Sequence, residues 1–270
     1  MNLILTRAQE LNESSQPFVI ATLIEVIGGA PQETGAKMII EKSGAISGTI
    51  GGGKLEAKTI KEAQNLLEQT DLKRFSVKTW NLQTDVGMTC GGKVSITFET
   101  YGVSNWNIAL FGAGHVAQAL SRTLINLDCT LTCYDSRSEW VGKFPQSPKL
   151  SSHVEANADD SIARLPKNTF FVVMTQGHAT DLPVLHSIFK HHPHAPFVGC
   201  MGSSVKAIRL KKDLLELGIS LEQVNKLETP IGLPIGENTP EEIAISVTAQ
   251  LLEVRSRFTR DNAALMNGKR

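Results

Sequence analysis

The chain has 270 residues, of which 41% are hydrophobic and 20% charged, with 27 Lys and Arg balanced by 27 Asp and Glu. Zero formal net charge argues against a general nucleic-acid binder, which needs a basic excess to displace counterions from phosphates. No run approaches the roughly 20 apolar residues of a membrane span, and the length suits two domains with a core in each.

The first hundred residues read as strands with one helix or two. The opening segment MNLILTRAQELNESSQ has neither a basic n-region nor a cleavage-type site, so a signal peptide is not expected. Phe18 to Gly28 is rich in β-branched residues and long enough for a buried strand. AKMIIEKSGAISGTI follows as a hairpin turning at Ser43-Gly44. Three glycines, Gly51, Gly52 and Gly53, then open a helix that carries Leu55, Ile60, Ala63, Leu66 and Leu67 on one stripe. FSVKTWNL and KVSITFETYG are further strands. The loop between them, QTDVGMTCGG, carries Cys90.

The pattern changes near Gly102. WNIALFGAGHVAQALSRTLINL is a strand, a glycine turn and a helix, and strands and helices alternate after it. Alternation of this kind implies parallel pairing with right-handed crossovers. SSVKAIRLKKDLLELG is a helix stopped by Gly218. A last helix starts with Pro240 inside a capping box made by Thr239 and Glu242. The expected architecture is α/β: a smaller mixed α+β N-terminal domain, residues 1–103, and a Rossmann-like parallel sheet with helices on both faces, residues 104–270.

Several turns carry candidate chemistry. Gly112 to Ala117, GAGHVA, fits G-x-G-x-x-A between a strand and a helix, and Asp135 ends the next strand. In a dinucleotide fold Gly112 allows the turn, Gly114 admits a pyrophosphate beside His115, and the carboxylate bonds a ribose hydroxyl; Asp135 suits NAD better than NADP. The bland alternative is a compact strand-to-helix turn. GCMGSSVK offers Gly202, Ser203 and Lys206 as an anion site, or simply an N-cap with a solvated lysine. His178 and Asp181 follow a strand at what is expected to be the carboxyl edge of the sheet, where ligands of open α/β sheets collect. His191 to His194 are expected to end a helix on the surface.

The triple glycine bares backbone donors at a helix start, with Lys54 adding charge, and so suits an anion; close passage of another strand is the alternative. Cys90, among glycines, is a candidate reactive thiol. Cys129 and Cys133 stand four apart on one strand and belong to the core, whereas Cys200 fits core or cleft. No pair forms C-x-x-C, so neither a disulfide framework nor structural zinc is expected, and the cytoplasm is the default compartment. Dimers are the base-rate expectation for oligomeric state.

GGAPQETGAKMII, GTIGGGKLEA, GMTCGGKVSI, LFGAGHVAQAL, VVMTQGHATD and PIGLPIGENTPEEIAIS occur in that order along the chain. Together they resemble the XdhC/CoxI family of xanthine dehydrogenase accessory proteins. The resemblance implies a chaperone, rather than a catalyst, that binds molybdenum cofactor (molybdopterin or its dinucleotide form), supports its sulfuration and inserts it into the large subunit of a molybdenum hydroxylase. A cysteine desulfurase is a further implied partner. Gly51 to Lys54 and the Gly112 turn would cradle phosphate, and Cys90 would face the molybdenum or its sulfur ligand. Gln32 and Gln176 replace an arginine and a histidine common in the family, and GSSVK lacks the usual arginines. The rival reading is an NAD-dependent oxidoreductase built on the GAGHVA turn, for which no proton donor paired with a substrate-binding arginine stands out.

Overall fold

The computed structural model describes residues 2–14, 16–68, 74–89, 91–102, 104 and 106–267. Cys90 lies outside the described residues. The chain divides into two compact units, Met1–Asn105 and Trp106–Arg270.

In the first unit, α1 (Asn2–Glu13) leads into β1 (Phe18–Ile27), β2 (Lys37–Glu41) and β3 (Ile46–Gly48); α2 (Gly53–Glu68), β4 (Phe75–Asn81) and β5 (Lys93–Tyr101) follow. The strands form a five-stranded antiparallel sheet in the order β3-β2-β1-β5-β4. Alternation sorts their side chains between the two faces. Val19, Ala21 and Leu23 of β1 join Val94, Ile96 and Phe98 of β5 beneath Leu55, Ala63, Leu66 and Leu67 of α2. On the opposite face Phe18 and Ile39 pack with Leu11, Ala8 and Ile4 of α1.

The second unit runs β6 (Asn107–Phe111), α3 (His115–Leu124), β7 (Thr130–Asp135), α4 (Ser138–Val141), β8 (Leu150–Val154), α5 (Asp159–Arg164) and β9 (Phe170–Val173). It continues with α6 (His178–His191), β10 (Phe197–Cys200), α7 (Ser204–Glu216), α8 (Leu221–Asn225), β11 (Leu227–Glu228) and α9 (Pro240–Asn267). All six strands are parallel, in the order β11-β10-β9-β6-β7-β8. The chain thus builds outward from β6 on one side and then crosses to β9 on the other, as in a dinucleotide-binding fold. Buried strands read as continuous apolar runs because both faces are covered. Ile108, Leu110, Phe170 and Val172 face α3 and α9, where Leu120, Val247 and Leu251 meet them. Ala109, Phe111, Phe171 and Val173 face α5, α6 and α7 through Ile162, Leu185, Ile188 and Leu210. The capping box of α9 is present: Glu242 accepts from the Thr239 N–H at 3.1 Å and donates its own N–H to the Thr239 hydroxyl at 3.3 Å.

Cys129 and Cys133 both lie in the core between the sheet and α3/α9. Burial pushes the Cys129 thiol up to about 11 and raises that of Cys133 further. Cys133→Ser places an alcohol in this apolar site, and a loss of about 1–3 kcal/mol in unfolding free energy is expected by urea titration. An unchanged midpoint would remove the residue from the core. The histidine run departs from expectation. His191 ends α6 and bonds Asp159 at 3.1 Å, but His192 is buried, its ring 2.7 Å from the Ile162 carbonyl oxygen. No helix among the described residues is long and apolar enough to cross a membrane.

Candidate functional site

In the first unit, three glycine-bearing segments converge. The triple glycine has φ of +134°, +66° and +56°, left-handed backbone that side chains resist. A Cβ on Gly51 would stand 2.6 Å from Pro31 Cγ, whereas Gly52 and Gly53 border open space. Close passage therefore explains the first glycine only. At the other two, backbone conformation is what demands glycine. Lys54 Nζ donates to the Gly87 carbonyl at 2.5 Å, and Lys58 Nζ bonds the Asp85 carbonyl, so α2 fastens the segment that precedes Cys90. A Cβ on Gly92 would lie 2.3 Å from the Gly29 carbonyl oxygen, which brings the segment after Cys90 against the Gly28-Gly29 turn that ends β1.

In the second unit, the candidates sit where the strands end. Gly112 has φ +112°, and a Cβ there would meet the Met174 carbonyl oxygen at 2.2 Å, so this glycine lets β6 and β9 end side by side. Gly114 is the N-cap of α3; it supplies no side-chain cap and borders open space. First-turn N–H groups of a helix lacking such a cap are available to an anion. A shallow cleft, open to solvent, lies at this carboxyl edge, lined among others by Gly112, Asp135, Glu155, Thr175, Gln176 and Thr180. It falls at the point where the strand order reverses.

Asp135 is 8% exposed. It accepts from the Ala113 N–H at 2.7 Å, from the Arg137 N–H and Nε at 2.9 Å each, and from Arg137 Nη2 at 2.7 Å. Burial alone would raise its carboxyl, but the Arg137 side chain, the Arg137 N–H and the Ala113 N–H hold it below the usual range. A depressed folded value contributes stability that is complete above the unfolded carboxylate value and lost as pH falls through the folded one. Stability is therefore expected to decline below about pH 4, and Asp135→Asn to flatten that limb in acid denaturation. An acid limb identical in the variant would exclude the pair as its source.

The other candidates form a second group. Asp181 is fully buried, accepts from Thr175 Oγ1 at 2.6 Å and its N–H at 3.2 Å, and is ion-paired with Lys206. Lys206 Nζ also donates to the Met201 carbonyl at 2.8 Å, so the lysine is not the solvated one of a plain cap. Ser203 caps α7 by accepting the Lys206 N–H at 3.3 Å. Gly202 leaves room for the lysine stem, since a Cβ there would lie 2.7 Å from Lys206 Cδ. His178 is drawn away by Asp213 of α7, with Nε2 2.7 Å from the carboxylate. Cys200 ends β10 inside the core, its thiol pushed up to about 12 chiefly by burial. Sequence reasoning missed Arg137, Trp140 and Lys143, which cluster beside His115. Arg137 Cζ lies 5.1 Å and Lys143 Nζ 4.1 Å from the Trp140 ring centre, and His115 meets the ring edge-on at 5.1 Å. The spacing Asp-x-Arg-x-x-Trp is the signal that could have found them.

The family model of the XdhC Rossmann domain matches residues 108–251, and that of the XdhC and CoxI family matches residues 11–76. The chain belongs to the XdhC/CoxI family. Among its relatives, YqeB of Escherichia coli K12 is 30% identical over 94% of this chain, which spans 46% of YqeB. The molybdenum cofactor insertion chaperone PaoD of the same organism is 23% identical over 96% of this chain and 90% of its own. A probable xanthine dehydrogenase subunit of Bacillus subtilis 168 is 22% identical over 93% and 97%. A crystal structure of a xanthine dehydrogenase from Bacillus halodurans shares the fold, with TM-score 0.50 and 20% identity over 94% and 96% of the two chains. Both XdhC/CoxI models thus fall on segments that carry glycine turns.

Proposed function

We propose that this XdhC/CoxI chain is an accessory protein that binds molybdenum cofactor and inserts it into a xanthine dehydrogenase-type molybdenum hydroxylase. The observation that carries the reading is similarity along nearly the whole chain to PaoD, a molybdenum cofactor insertion chaperone. The glycine turns support it physically. A pterin cofactor brings a phosphate or pyrophosphate, and the uncapped first turn of α3 beside Gly114 offers N–H donors and open space for one. Gly52 and Gly53 offer a second open backbone turn at the start of α2. Lys54 and Lys206 are tied to carbonyls and, for Lys206, to Asp181, so backbone donors carry more of the binding than lysine charge does. His178, held by Asp213, serves to join α6 to α7 beside the cleft.

Cys90 is the sulfur-side contact in this reading, since thiolates favour soft metals and sulfur. The protein supports sulfuration together with a cysteine desulfurase and works in the cytoplasm as a homodimer. The relative named as a molybdenum cofactor insertion chaperone favours this reading over an NAD-dependent oxidoreductase. The test is activation of a cofactor-free hydroxylase by the purified chain, alongside identification of any pterin that co-purifies from cells making the cofactor. Cys90→Ser should fold, because the side chains match in size, yet lose cofactor retention or activation. Full activation by that variant would end the sulfur-contact role. No pterin and no activation with the unaltered chain would end the chaperone reading.

A further inference from the structure

Asp135 stands where a dinucleotide fold places the carboxylate that holds a ribose diol. Here its four donors, three of them from Arg137, use the roughly four lone-pair sites a carboxylate offers. The side chain is 6% exposed, and the guanidinium over it is itself held against Trp140. Bidentate arginine pairing is both strong and directional. A ribose hydroxyl arriving at Asp135 would find its acceptor sites taken, and displacing Arg137 would leave a buried carboxylate without its partner.

We propose that Arg137 is a specificity-determining residue of the cleft: by occupying Asp135 it excludes ligands that bind through a ribose cis-diol. The excluded class comprises NAD and other adenosine dinucleotides that would use the Asp135 position. Ligands admitted to the cleft are held through groups other than ribose hydroxyls. The inference bears on the molybdenum-cofactor reading at one point only, since a dinucleotide form would have to place its ribose away from Asp135, and its probe carries no pterin.

The experiment is calorimetric titration of the full chain with ADP-ribose. The unaltered protein is expected to bind weakly or not at all. Arg137→Gln keeps a polar stem but cannot make the bidentate pair, so it should bind ADP-ribose at least about tenfold more tightly, the scale of one charge-assisted hydrogen bond. Arg137→Lys, engaging one oxygen at a time, should fall between the two. Adding Asp135→Asn to Arg137→Gln should erase the gain, which a nonspecific loosening would not predict. Circular dichroism establishes folding, and Arg137→Lys decides if the glutamine variant does not fold. Equal affinity in the unaltered chain and the folded variants would overturn the proposal, whether both bind or neither does.

Discussion

Lys206→Met is expected to lower the unfolding free energy by about 3–5 kcal/mol, the cost of stranding a buried charge. Asp181 has no solvent exposure, and among the described residues its other donors come from Thr175. Methionine matches the lysine stem over Gly202 but brings no charge, so the carboxylate would stay buried without its cation. Replacing both members, as Asp181→Asn with Lys206→Met, should recover part of the loss, because the stranded charge is then gone. Urea denaturation of the single and double variants makes the comparison. Should the double variant be no more stable than Lys206→Met, the deficit would lie in lost packing and not in the ion pair.

The second large effect separates two glycines of one turn. Gly112→Ala is expected to cost about 3–5 kcal/mol, adding left-handed strain to overpacking. Its Cβ would press on the Met174 carbonyl oxygen, backbone that cannot rotate away, at a φ of +112°. Gly114 has φ −67° and nothing within 4 Å of an added Cβ. Gly114→Val should therefore leave the second unit folded while blocking the approach to the α3 first turn. Melting curves and cofactor retention, measured on both variants, read the two effects apart. A Gly114→Val protein that melts like Gly112→Ala would make the whole turn structural. One that retains cofactor fully would take the turn out of the site.

Much of this arrangement is legible in the sequence because local signals agree with tertiary ones. The GAGHVA turn has an apolar strand before it and an amphipathic helix after it, and the capping box at Thr239 marks the start of α9. Residues missed by pattern reading lack such a signal. β8 is an edge strand with four of five residues exposed, so LSSHV shows no apolar alternation. β11 has only two residues, too few for any periodicity. Nor do ion pairs across elements leave a trace in spacing. Lys206 reads as a cation for an anion site or as a solvated lysine in the first turn of α7, and only the fold reveals that Asp181 is its neighbour. Position alone marks Asp135, but its engagement with Arg137 depends on backbone geometry after β7. The triple glycine stands out in the sequence, yet which of the three answers to sterics and which to φ requires coordinates.

The crossing of the chain from β8 to β9 has a kinetic consequence. Ile108 pairs with Phe170, so about 60 residues of chain are closed into a loop before the two halves of the parallel sheet are joined. Pairing β6 with β7 closes a much shorter one, Asn107 to Thr130. Loop-closure entropy then favours early assembly of the β6–β7 half, with β9 joining later. Until it does, Phe111 and Leu110 present an open strand edge, the kind of surface on which chains stick to one another. Expression conditions that slow synthesis or crowd nascent chains bear on this interval more than on the finished protein. The cleft, which takes residues from both sides of the crossing, comes into being only when that edge is closed.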